Sequence, residues 1–322
     1  MSTRIATLLG ALATLTLGCT DAWLNGNHDS PMTDEGGAGG TSGSQGGGPG
    51  EGGGAAVGGH GGATTAQGDA SIITWNLESF PLAPQTPEVV VSLFAELQPD
   101  VVAVQEVDDV DAFHAMVDDL DGYSAILNDD PGAFIRVGLI YREDRVVVDG
   151  AETLFPTDWW AFPRPPLKAH VRFVDTSVDF WAVVLHLKAK VDQESWQRRL
   201  DAAERLDTWL RDELVASEDD DFMLLGDFND EVTDPPEWNV FNVFLDDPET
   251  YQFLTLPVEA SGDYSYIPFA RMIDHMLITS DLLEEVTPDS TEVLHLDDVV
   301  PGYTATVSDH RPVRTWLDLP PL

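Results

Sequence analysis

Five short polar clusters in this 322-residue chain carry the side chains that could do chemistry, and each stands at the end of an apolar run. They are Trp75-Asn76, Gln105-Glu106, His186-Leu187-Lys188, Gly226-Asp227-Phe228-Asn229 and Ser308-Asp309-His310. Carboxylates, carboxamides and imidazoles together suit hydrolysis of a phosphoester. That reaction needs neutralised phosphoryl oxygens, a water oriented opposite the leaving oxygen, and a proton for the leaving group. Glu106, after Val101-Val102-Ala103-Val104, is the best single carboxylate for Mg²⁺, which usually takes one or two carboxylates and keeps several waters. Asn76 offers an amide oxygen to place the metal's water or the phosphate, and it equally suits a strand-ending turn. Asp227 and Asn229, two apart, face the same way in an extended or bulged segment and can grip one water or phosphate oxygen, with Phe228 turned into the core. In Ser308-Asp309-His310 an acid directly precedes an imidazole. A histidine moves protons near neutral pH when a carboxylate fixes its tautomer, and Asp274, in Ile273-Asp274-His275, is the candidate partner.

The elements that must position these groups follow from periodicity. Apolar runs of strand length cover 71–77, 101–105, 124–127, 137–141, 145–148, 167–174, 179–186, 221–225, 251–255, 273–278 and 313–317. Helical spacing covers 87–97, 109–120 with a capping acidic start, and 193–215, where Trp196, Leu200, Ala203, Leu206 and Leu210 share one face. A strand carries its last side chain to the rim of its sheet, so polar residues stationed there share a pocket. Strands dominate and helices are inserted between them, which predicts two sheets packed face to face with helices outside.

Composition narrows the partners. A hydrophobic fraction of 43% supports a real core, while 57 acidic residues against 16 basic ones give a net charge of −41. That excess repels polyanions over most of the surface, so duplex nucleic acid is not the obvious long-lived partner. Yet 12 of the 16 basic residues fall between Arg136 and Arg211, among them Arg164, Lys168, Arg172, Lys188 and Lys190. They make either a positive strip that guides a phosphate or a scatter of surface charges.

The only cysteine, Cys19, precludes an intrachain disulfide and sits at an informative place. Arg4, an apolar segment over 5–17 and Gly18-Cys19 resemble a bacterial lipoprotein signal in which Cys19 becomes the lipidated first residue after cleavage. Thr16 stands where leucine is usual, and an ordinary secretory signal is the alternative. Both point to export, to the cell envelope or beyond. The expected organisation is a signal peptide over 1–19, a glycine-rich tether over 20–69 and one domain over 70–322. A glycine-rich coil of that length spans on the order of 35 to 40 Å.

The clusters, in this order over 72–316, resemble the endonuclease/exonuclease/phosphatase superfamily, the fold of pancreatic deoxyribonuclease. The resemblance implies an α/β four-layered sandwich of two packed, mainly antiparallel β-sheets flanked by helices, with a divalent-metal site at one rim. It implies Asn76, Glu106 and Asp309 at the metal, and His186, Asp227, Asn229, Asp274 and His310 in catalysis. His310 would be general base or transition-state electrophile, while Asp227 and Asn229 place the water or the phosphate. Arg164, in Arg164-Pro165-Pro166-Leu167, resembles a phosphate-contacting arginine, and Asn229 and His275 are further candidates for phosphate. One departure is that Phe134-Ile135-Arg136-Val137 holds no acid where the pancreatic enzyme pairs a glutamate with the histidine matching His186. The implied cofactor is Mg²⁺, with Mn²⁺ or Ca²⁺ as substitutes. The implied activity is a nuclease-like phosphodiesterase acting on DNA or RNA as a monomer, anchored to a membrane by its lipid. Two alternatives stay open. One is a phosphatase or phospholipase-C-like hydrolase of a small phosphate ester or lipid head group. The other is an inactive anchored binding domain, against which the full set of polar residues stands.

Overall fold

In β1 (Ala70–Phe80) Ile72 points to one face of the sheet and Ile73 and Trp75 to the other, yet all three are buried. Both faces of this strand must therefore be covered. The computed structural model describes residues 67–128, 134–216 and 221–322. The signal-like segment, Cys19 and all but the last residues of the glycine-rich stretch lie outside the described residues. No helix among the described residues is long and apolar enough to cross a membrane.

One six-stranded sheet contains β1, β2 (Val101–Val107), β3 (Tyr123–Leu127), β4 (Arg136–Arg142), β11 (Glu292–Val293) and β12 (Val313–Leu317), in the order β11-β12-β1-β2-β4-β3. The other contains β5 (Val146–Thr153), β6 (Leu167–Phe173), β7 (Asp179–His186), β8 (Phe222–Asp227), β9 (Tyr251–Phe253) and β10 (Asp274–Thr279), in the order β5-β6-β7-β8-β10-β9. The helices are α1 (Thr86–Leu97), α2 (Val110–Asp118), α3 (Gln193–Ala216) and the short α4 (Asn242–Leu245), α5 (Leu256–Ala260) and α6 (Tyr303–Thr306). Asp109 caps α2 by accepting from the amide of Ala112 at 2.9 Å, which satisfies a donor that the first helical turn leaves unpaired. The two-residue β11 and the short helices α4 to α6 had no expectation in the sequence, because one turn or one residue pair is too short for a period.

Three apolar clusters make the four layers. Ile72, Ala103, Val171, Val184 and Leu225 belong to the core where the sheets face each other. Ile73, Trp75, Val102 and Val104 pack with Val90 and Phe94 of α1 and Phe113 of α2. Val183, Leu185 and Leu224 pack with Ala203, Leu206 and Leu210 of α3, the face expected from helical spacing. The fold is the expected α/β sandwich of two sheets flanked by helices.

Each sheet contains one parallel pair, β1 with β2 across α1 and β7 with β8 across α3, and every other strand pairing is antiparallel. A parallel pair ends both strands at the same edge. Asn76, Glu106, His186 and Asp227 therefore arrive together at carboxyl ends of central strands, where open α/β sheets gather ligands. Strand β10 runs antiparallel to β8 with Asp274 opposite Asp227, so it begins at that edge.

Gly226 makes the approach of β7 and β8 feasible. It pairs with Leu185 and adopts φ of 151°, and a Cβ there would overlap the Leu185 backbone, its carbonyl oxygen included. Gly226→Ala is expected to cost about 2 to 5 kcal/mol, from backbone strain together with the overlap. Thermal melting should show a fall of roughly 5 to 15 °C. An unchanged midpoint would mean that the two strands can separate at no cost.

Candidate active site

The site is built on two bulges. Pairing of β1 with β2 shifts register between Asn76 and Phe80, and pairing of β2 with β4 shifts between Val104 and Val107. Within these bulges Glu78, Ser79 and Glu106 take positive φ of 42°, 50° and 62°. Bulges re-aim side chains beside active sites, and left-handed non-glycine residues persist only where their surroundings hold them. Here hydrogen bonds do the holding. The Asn76 amide oxygen accepts from the Glu78 N–H at 2.9 Å, and Glu106 Oε2 accepts from the Ser79 N–H at 2.9 Å. The Asn76 amide nitrogen donates to Asp227 Oδ2 at 3.0 Å and to Glu106 Oε1 at 3.3 Å. Asn76 is thus a fully buried strap between two carboxylates, with its amide oxygen bonded to the Glu78 N–H.

Asp227 is fixed from the other side by the Asn229 backbone N–H, which donates to its Oδ1 at 2.9 Å. Asn229 has φ of 57°, and its side-chain amide donates to the Leu187 carbonyl at 3.2 Å. This tight turn sends Phe228 into the core beneath it, as the spacing predicted.

The last histidine sits in a polar cage. His310 Nδ1 donates to Asp274 Oδ2 at 2.7 Å, and its backbone N–H donates to Ser308 Oγ at 2.9 Å. Ser308 Oγ in turn donates to the Asn76 carbonyl at 2.6 Å. The Trp75 indole donates to the Tyr303 hydroxyl at 3.0 Å, which donates to the His310 carbonyl at 2.7 Å. Burial opposes the imidazolium, but the carboxylates of Asp274, Asp227 and Asp309 together outweigh it and hold the His310 pKa well above the usual value. His310 Nε2 lies 3.7 Å from Asp309 Oδ1.

His186 has the opposite character. Arg164 Nη2 meets its Nε2, and an arginine can only donate, so Nε2 accepts and Nδ1 carries the proton. That Nδ1 is buried with no hydrogen-bond partner among the described residues, as the missing acid in Phe134-Ile135-Arg136-Val137 foretold. Burial, with the positive charge of Arg164, pushes the His186 pKa well below the usual value. It is a neutral imidazole, with Nε2 3.5 Å from Asp227 and 3.7 Å from Glu106. Asn128 supports this side by donating to the Pro165 carbonyl at 2.8 Å, which fixes the loop that carries Arg164.

His275 does not join the site. Next to Asp274 on a strand it faces the opposite way, is fully buried, and spends both ring nitrogens inside the core. Nε2 donates to the Asp230 carbonyl at 3.0 Å and Nδ1 pairs with the Thr255 hydroxyl at 2.8 Å, among Phe228, Phe241 and Phe253. Its place among the phosphate contacts is withdrawn.

Among the described residues, two groups of side chains lie close enough to hold a cation: Glu106 with His186 and Asp227, and Asp227 with Asp274 and His310. Asp309, expected beside Glu106 at the metal, belongs to neither group. Burial, and then the charge of Asp274, pushes Asp227 up to about 7. Burial, and then the charge of Asp309, pushes Glu78 up to about 8. Crowded carboxylates resist ionising together, and a divalent cation relieves that resistance, so the donor set fits one. Glu78 was not among the expected residues. Its Oε2 accepts from the Asp309 N–H at 2.7 Å, and its position two residues after Asn76 was the available sign.

A buried ion pair locks the two loops below the site. Arg199 of α3 donates to Asp230 at 2.9 Å and to the carbonyls of Lys188 at 2.8 Å and Lys190 at 2.7 Å. It thereby joins the segment after β7 to the turn after β8.

The profile of the Endonuclease/Exonuclease/phosphatase family matches residues 73–310. The chain belongs to this family. At the family's level of description it is a metal-dependent phosphoester hydrolase, with two acidic and histidine clusters able to coordinate a divalent ion. No curated protein matches it. Among solved structures, the human Nocturnin catalytic domain with bound sulfate is similar at 17% identity and a TM-score of 0.60, over 80% of this chain and 97% of that one. TDP2 of D. rerio complexed with single strand DNA product is similar at 19% identity and 0.58, over 76% and 97%. The mannosyl-6-phosphatase of Bacteroides thetaiotaomicron is similar at 17% and 0.56, over 77% and 99%. At these identities the likeness establishes the fold of this family member, and its substrate is a separate question.

Proposed function

We propose that this family member is a phosphodiesterase of nuclease type that works with Mg²⁺ or Mn²⁺. The observation that carries the reading is the meeting of Glu106, Asp227, Asp274, His186 and His310 at one rim of the two packed sheets, in two groups that share Asp227. Glu106 would hold the cation, which would polarise a phosphoryl oxygen and neutralise its charge. Asp227, poised near neutral pH and oriented by Asn76 and Asn229, takes the proton of the attacking water. His310, charged and held by Asp274, offers Nε2–H to an oxygen on which negative charge develops. Neutral His186 receives the Arg164 guanidinium and so orients it toward the phosphate. The Arg4 to Cys19 segment supports export and lipid anchoring at the cell envelope as part of the same proposal.

The net charge of −41 favours a second reading, a hydrolase of small phosphate monoesters that needs no basic footprint. Dialysis against EDTA followed by assay on a chromogenic phosphodiester, a phosphomonoester and plasmid DNA separates the two. Cleavage of the diester that disappears in EDTA and returns with Mg²⁺ is expected. Full activity in EDTA, or cleavage of the monoester alone, would overturn the diesterase reading.

A further inference from the structure

We propose that the loop between β5 and β6 and the start of α3 form an outer subsite that holds a single-stranded nucleic acid, its phosphates on a basic track and its bases on Trp159 and Trp160. This rests on the phosphodiesterase reading and specifies its substrate. The track begins at Arg164, against His186, and continues through Lys188, which lies two residues beyond that histidine. Arg164, Arg198 and Lys190 all stand near enough to Lys188 to act on its charge, so four cations crowd one place in a strongly acidic protein. Acidic side chains stand beside them: Asp192 acts on Lys188, Glu194 stands 3.8 Å from Arg198, and Asp158 and Asp201 bond to Ala161 and Trp160.

Arg198 ties the track to the aromatic pair. Its guanidinium donates to the carbonyls of Trp159 at 2.8 Å and Trp160 at 2.7 Å and sits 5.2 Å from the Trp160 ring. The Trp160 indole N–H donates to Asp201 at 2.6 Å. The Trp159 backbone and the Trp160 indole are thus held in place, yet 48% and 44% of the two residues' surface stays open to solvent. Large rings kept exposed and oriented beside a line of cations match a ligand that alternates aromatic faces with phosphates. An unpaired strand offers such faces, and a duplex hides them within its stack. A membrane surface fits less well, because insertion needs a free indole and the Trp160 ring is pinned by its N–H bond to Asp201 and its contact with Arg198.

The test uses the full chain carrying His310→Gln, so that bound strands are not cut. Anisotropy of a labelled oligothymidylate should report binding that weakens at least 10-fold with Trp159→Ala and Trp160→Ala together, and several-fold with Lys190→Gln. A blunt duplex should bind more weakly than the single strand. In the otherwise unchanged enzyme, the same tryptophan substitutions should leave turnover of the small chromogenic diester intact. Oligonucleotide affinity indifferent to both substitutions, with diesterase activity present, would sink the subsite alone. Tryptophan-dependent binding to phosphatidylglycerol vesicles without any effect on the oligonucleotide would replace it with a membrane contact. Absence of diesterase activity in the unsubstituted protein is the separate failure of the underlying function.

Discussion

Replacing Asp227 by Asn is expected to lower kcat by about 10² to 10⁴-fold, the range ordinarily lost with a positioned proton acceptor. The carboxylate sits at the junction of both groups, and its amide replacement keeps the shape while removing the charge. The same substitution should relieve a pH-dependent penalty in the metal-free protein. Burial and Asp274 raise the pKa of Asp227 from 3.8 to about 7. A carboxyl raised in the folded state costs nothing below its unfolded value, and its penalty grows as pH rises toward the folded value. Above pH 7 the penalty is complete, of order 4 kcal/mol, and an amide does not suffer it. An amide can accept only one of the two N–H bonds that Asp227 receives, a loss present at every pH, so melting in EDTA should show Asp227→Asn gaining on the parent as pH rises from 4 to 8. A difference that does not change with pH would show that Asp227 does not carry this strain.

Asp274→Asn is the second large effect. Asp274 is fully buried, touches His310 and holds no position from which it can reach a substrate, so it acts by positioning and charging the imidazole. A loss of about 10² to 10⁴-fold in kcat is expected, with KM for a small diester little changed. The pair also contributes stability. Because the His310 pKa is raised in the folded protein, this contribution is whole below about pH 6.5 and is lost as pH climbs through the raised value. In Asp274→Asn the imidazole loses its proton at lower pH, so the alkaline limb of the pH–rate profile should move down. A profile superimposable on the parent's would refute the pairing.

The candidate set was legible because most of its members stand at or near a strand end. Glu106, Asp227 and His310 could be found from apolar runs alone, and alternation along β10 already implied that Asp274 and His275 face opposite ways. The task of Asn76 was hidden, because its amide bridges residues 30 and 151 positions away. Glu78 was hidden because it lies within a bulge, where backbone conformations set by distant hydrogen bonds replace simple alternation. The Arg199 clamp was hidden too. On a helix read for its apolar face, a buried arginine resembles any surface charge until its partners after β7 and β8 are known. The layers needed only local patterns, whereas the parallel pairs and the orientation of polar atoms needed the finished tertiary structure.

Strand β12, near the carboxyl end, lies beside β1, and Ser308 and Tyr303 brace Asn76 and Trp75 across more than two hundred residues. The segment from Tyr303 to Leu317 thus carries His310 and the brace for Trp75 and Asn76 together, so a change that undocks it removes both at once.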